Sequence, residues 1–76
     1  MIKVYFNVDG MMCSMCEAHI NDIVRKTTKV KKIKSNNKKN ETIVVLENDN
    51  DIDKIIKTIE SLGYKCKLNG IEDLNK

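Results

Sequence analysis

Over the first residues of the chain every second position is apolar: Ile2, Val4, Phe6 and Val8 share one face. A period of two predicts a half-buried strand over residues 2–8, ended by Asp9-Gly10. The period then lengthens. Ile20, Ile23, Val24 and Thr27 stand at i, i+3, i+4 and i+7, so a helix is expected from about Ser14 or Cys16 to Lys26. Ser14 is its expected cap, and Glu17 places a negative charge in the first turn, where the helix dipole favours it. The poor helix formers Thr27 and Thr28 mark its end.

Two strands follow, Val30 to Asn36 and Glu41 to Glu47, joined by the polar turn Asn36 to Asn40. In the first, Val30 stands near the start and Ile33 points inward; in the second, Ile43 and Val45 are the expected inward pair. They read as a hairpin, without the Asn-Gly pair that would pin its register. Ile52, Ile55, Ile56, Ile59 and Leu62 then repeat with helical period behind Asp51, the expected N-cap. Gly63 stands where a left-handed C-terminal cap belongs. Tyr64 to Leu68 reads as a short last strand, leaving a polar tail over 70–76. The order is β-α-β-β-α-β. An α+β, ferredoxin-like sandwich follows from it: a four-stranded antiparallel sheet with both helices on one face.

The 76 residues make one domain, with its core at about 2–69 and no room for a second. With 41% hydrophobic and 33% charged residues, the chain reads as globular rather than disordered. Three cysteines, two of them close in sequence, argue against a secreted disulfide scaffold and for a reducing compartment. No signal peptide is visible, and no stretch nears the ~18 apolar residues of a transmembrane helix. A cytoplasmic location without membrane insertion is expected. The net charge of +3 is unevenly spread, with eight basic residues and no acidic one from Arg25 to Lys39. Such a run is either a solvated surface or a docking face for an acidic partner.

The segment Cys13-Ser14-Met15-Cys16 carries the chemistry. A Cys-x-x-Cys pair serves as a redox couple, as half of a structural zinc site, or as a whole site for a soft metal. Thioredoxin-like redox proteins need a longer chain and a cis-proline facing the pair; this chain has no proline. RNA-recognition domains share the element order but stack bases on aromatics of their central strands. Here the aromatics are Tyr5, Phe6 and Tyr64, without that motif, and no nucleic-acid partner is expected. Neither an acid–base pair nor a phosphate loop is visible, so the chain does not read as an enzyme.

Gly10-Met11-Met12-Cys13-Ser14-Met15-Cys16, between the first strand and the first helix, resembles the G-M-x-C-x-x-C signature of heavy-metal-associated domains. Glu60 to Cys66, ESLGYKC, resembles the family's E-x-x-G-Y-x-A segment, and the likeness spans roughly residues 2 to 69. These are small copper chaperones and the N-terminal metal domains of copper-transporting P-type ATPases. The resemblance implies a Cu(I) carrier binding one ion per monomer through Cys13 and Cys16. It further implies transfer, by thiolate exchange, to the metal-binding domain or uptake site of a copper-transporting ATPase. Met11 would pack beneath the loop, and Tyr64 would lie beside the site. Met12 stands where the family often has threonine, on the rim that meets a partner.

Soft thiolates suit the soft Cu(I) ion. Two sulfurs hold it near-linearly and leave it open to a partner's thiolate, whereas a structural zinc site is closed by four ligands. Cys16 would sit at the helix N-terminus and Cys13 in the exposed loop, so Cys13 is expected to exchange first. Alternatives of the same class are a metal domain of such an ATPase, a carrier of zinc, cadmium or mercury, and a metal-bridged homodimer. A thiol–disulfide redox protein is the distant alternative. His19 is expected to face solvent, because Ile20 takes the core position at that turn. Cys66 stands where the family usually has alanine and is expected as a small buried thiol. The alternatives are that His19 adds an imidazole ligand, and that Cys66 is a third ligand in a zinc site built from all three cysteines, with or without His19.

Overall fold

The alternation along the first strand sets the architecture. In a computed structural model, which describes residues 1–11 and 14–74, Val4, Phe6 and Val8 are wholly buried at the centre of the fold. The elements are β1 (Ile2–Asp9), α1 (Ser14–Thr27), β2 (Lys32–Asn36), β3 (Glu41–Leu46), α2 (Ile52–Ser61) and β4 (Lys65–Asp73). The strands form one antiparallel sheet in the order β2-β3-β1-β4. On one face α1 packs over β2, α2 over β4, and the helices on each other. Ile20 and Val24 from α1 meet Ile52, Ile55 and Ile59 from α2 in a single core. Burial of each such side chain contributes about 1.5–3 kcal/mol.

The third strand faces the other way from expectation. Ile43 and Val45 turn away from the helices, while Thr42, Val44 and Leu46 point in. The segment Thr-Ile-Val-Val-Leu offers two faces of similar apolarity. Pairing decides between them: Val44 lies between Val4 and Ile33, and Thr42 between Phe6 and Ser35. Burial leaves Thr42 satisfied. Ser35 donates to Asn21 Oδ1 at 2.8 Å and so accepts from the Thr42 hydroxyl at 3.0 Å.

The last strand is longer than its polar sequence suggests. It runs to Asp73 rather than Leu68, and residues 70–73, expected as tail, pair with Tyr5, Val4, Lys3 and Ile2. A register shift between Tyr5 and Phe6, opposite Gly70 and Leu68, interrupts simple alternation along β4. β2 starts at Lys32, not Val30. Ser14, expected as a cap, is the first residue of α1, and Asp51 precedes α2 without a side-chain capping bond.

Two turns behave as their residues dictate. Gly63 has φ +97°, and its N–H donates to Glu60 O at 3.0 Å, closing α2. In the β2–β3 hairpin, Asn36 Oδ1 accepts from the N–H groups of Lys38 and Lys39 at 2.9 and 3.2 Å. Asn40 takes φ 52°, which asparagine tolerates better than most residues, so asparagines do what Asn-Gly would have done. Among the described residues no helix is long and apolar enough to cross a membrane.

Candidate metal centre

The loop between β1 and α1 is held at both ends. Val8 donates to Asn40 O at 2.7 Å and Asp9 pairs with Lys65, which brings the β2–β3 turn and the start of β4 beside it. Gly10 then turns the chain with φ +112°, a region that L side chains rarely adopt. A Cβ at Gly10 would stand 2.9 Å from Tyr64 Cδ1, so the tyrosine ring closes over the glycine. Met11, next in line, is 5% exposed and anchors the loop in the core.

Met12 and Cys13 lie outside the described residues. Cys16 is the third residue of α1, half-buried and packed against the core, with the peptide dipoles of the helix behind it. Met15, beside it in sequence, is 79% exposed. Glu17 accepts the Asn37 N–H at 2.6 Å, which ties the first turn of α1 to the β2–β3 turn. The helix dipole accounts for Glu17 locally, but no local pattern announces a bond spanning 20 residues.

The other candidates are dispersed. His19 is exposed, and Tyr64 is half-buried against the core. Cys66 is 5% exposed, opposite Val8, and burial, aided by the Glu60 charge, pushes its thiol up to about 12. A thiol so held stays protonated at neutral pH. Among the described residues no three His, Cys, Asp or Glu side chains form a group able to hold a metal ion.

The basic run is divided: Arg25, Lys31, Lys32 and Lys34 border one concavity, whereas Lys38 and Lys39 lie elsewhere. Arg25 and Lys26 end α1, Lys32 and Lys34 project from the sheet away from the helices, and Lys38 and Lys39 stand exposed at the hairpin turn near the loop. Lys31 pairs with Glu47 at 3.1 Å, and its hydrogen bond and charge hold that carboxyl below its ordinary range.

Comparison with known proteins gives a consistent picture. The copper chaperone CopZ of Enterococcus hirae is 34% identical over 68 residues, covering 88% of this chain and 99% of CopZ. A copper-transporting ATPase of Helicobacter pylori is 37% identical over 67 residues, 87% of this chain; the chain spans only 9% of that ATPase's length. The yeast copper transporter domain Ccc2a, solved in apo and Cu(I)-loaded states, superposes with a TM-score of 0.83 at 31% identity, covering 92% of this chain and 97% of that domain. The N-terminal domain of ZntA in its Zn(II) form has a TM-score of 0.86 at 18% identity, covering 95% and 97%, a likeness of fold alone. Residues 5–65 match the profile of the heavy-metal-associated domain, and the chain belongs to the heavy-metal-associated domain family.

Proposed function

We propose that the protein is a cytoplasmic Cu(I) carrier that binds one ion through Cys13 and Cys16 and hands it to a copper-transporting ATPase. The observation that carries this reading is the likeness to CopZ, which extends over 99% of that chaperone. Two thiolates from one short loop satisfy Cu(I) and leave it open to attack by a third. The incoming thiolate bonds to copper as one of the first pair leaves, so the ion is never free. The helix dipoles behind Cys16 favour its thiolate, and Cys13 exchanges first. The protein acts as a carrier and not as a catalyst.

Lys38 and Lys39, at the same end as the loop, orient docking on an acidic partner surface. The test is anaerobic transfer from the Cu(I)-loaded protein to the copper-free metal domain of a copper ATPase. Transfer should outrun release to a chelator, and Lys38→Glu with Lys39→Glu should slow it steeply at low salt. Transfer no faster than chelator release would remove the carrier reading, and an unchanged rate in the double variant would remove the docking role of the turn.

The Helicobacter match supports a second reading, a metal domain of a larger ATPase. An antibody against the chain separates the two: a band near 8.7 kDa in the soluble fraction for a carrier, a far larger membrane band for the ATPase.

A further inference from the structure

The helices cover one face of the sheet, and the opposite face holds a trough with its own chemistry. Cross-strand pairing sets Lys32, Val45 and Lys3 in one row and Lys34, Ile43 and Tyr5 in the next. β3 therefore supplies a floor of two half-buried β-branched residues, and the neighbouring strands supply lysines on both sides. Leu74, 41% exposed, extends the apolar floor, and Arg25 adds a cation at the rim. The open concavity measures about 640 Å³, and no acidic side chain is among its lining residues. Glu72, across from Lys3 on β4, Glu41, one row further along, and Glu47, which pairs with the lining Lys31 at 3.1 Å, lie outside it.

An apolar floor between cationic walls is complementary to an apolar stripe flanked by carboxylates. We infer that this trough is a docking surface for an acidic amphipathic helix of a protein partner. Ile43 and Val45 are roughly 7 Å apart along the strand, close to the ~6 Å between residues i and i+4 of a helix. A membrane surface suits the site poorly, because apolar groups that enter lipid must stand above the charged groups, and these sit between them. Single-stranded nucleic acid asks for open aromatic faces. Tyr5 does not line the trough, and its ring lies 5.4 Å from the Lys3 ammonium. A second copy of the chain would bring like charges together.

The rows of the trough lie near residues 3 and 5 of β1, whereas the cysteine loop follows residue 9, roughly 13–20 Å further along. A partner seated here leaves the loop open, so the protein can be tethered while it exchanges metal. Tethering raises the local concentration of the exchange partner without any new contact at the loop.

The test is an NMR titration of the reduced, metal-free protein with a synthetic helical peptide bearing Leu at i, i+3, i+4 and i+7 flanked by Glu. A scrambled peptide of the same composition, phosphatidylglycerol vesicles and polyuridylic acid serve as the other arms. Saturable binding is expected, with shifts centred on Lys3, Lys32, Lys34, Ile43 and Val45. Lys32→Glu with Lys34→Glu should weaken it about tenfold or more, and Cys13→Ser with Cys16→Ser should leave it unchanged. The second pair separates this surface from the metal reading, whose failure would not move it. No binding, equal binding of the scrambled peptide, tighter binding of vesicles or RNA at these residues, or indifference to the lysine reversals would overturn the inference.

Discussion

Gly10 and Tyr64 occupy one another's space: the position of a Gly10 Cβ is 2.9 Å from Tyr64 Cδ1, and Gly10 holds φ +112°. Two separate demands thus converge on a glycine ahead of the cysteines, one from the backbone and one from the ring. Gly10→Ala should cost about 2–4 kcal/mol, the left-handed strain adding to overpacking. In a Tyr64→Ala background the same change should cost about 1 kcal/mol less, since only the backbone strain remains. Urea denaturation of the four proteins of this cycle measures the difference; equal costs in both backgrounds would show that the ring does not press on the loop.

Glu17 holds the first turn of α1 to the hairpin through the Asn37 N–H at 2.6 Å. Glu17→Ala removes a hydrogen bond to a charged acceptor and should cost about 1–2 kcal/mol. Hydrogen exchange at the Asn37 amide should accelerate in that variant, and Glu17→Gln should recover part of the protection. Unaltered exchange in Glu17→Ala would mean the bond is not made in solution.

These two contacts mark where sequence stopped being informative. Element order, the amphipathic helices and the Gly63 cap were legible because each is written in a local period or a backbone requirement. The inward face of β3 was not, since Thr42-Val44-Leu46 and Ile43-Val45 differ little in apolarity. Only the pairing with Val4 and Ile33 breaks that tie. The length of β4 was hidden because its register shift interrupts alternation just where the sequence turns polar. At the site, the loop's place and the Cys-x-x-Cys pair were plain in the sequence. The partners of Gly10 and Glu17, brought in from 54 and 20 residues away, were not.

Two buried threonines make opposite predictions. The Thr28 hydroxyl is buried with no hydrogen-bond partner among the described residues, whereas Thr42 is bonded to Ser35. Thr28→Val should therefore stabilise the fold by about 1 kcal/mol, and Thr42→Val should destabilise it by about as much. Thermal unfolding of the two variants tests this; shifts of the same sign would contradict the assignment.

Cys66 gives a pH signature. Its thiol is raised from an ordinary value of 9.0 to about 12, first by burial and then by Glu60. The folded state therefore binds the proton more tightly than the unfolded state. Its contribution is fully present below pH 9 and declines between about pH 9 and pH 12, by about 1.4 kcal/mol per unit within that window. Cys66→Ala should remove this component, so the stability difference between wild type and variant should shift in the variant's favour as pH rises from 8 to 10.5. A constant difference would mean that Cys66 ionises normally. At neutral pH Cys66 should also resist alkylation in the native protein.

The central claim is that Cys13 and Cys16 form a complete site for one Cu(I). Anaerobic titration of the reduced protein with Cu(I), against a chelator and in competition with Zn(II), tests it most directly. One Cu(I) per chain is expected, bound in preference to zinc, lost in Cys13→Ser with Cys16→Ser and kept in Cys66→Ala and His19→Ala. Half an equivalent with a doubled mass would indicate an ion shared between two chains. Tighter binding of zinc, dependent on Cys66 as well as on Cys13 and Cys16, would contradict the account.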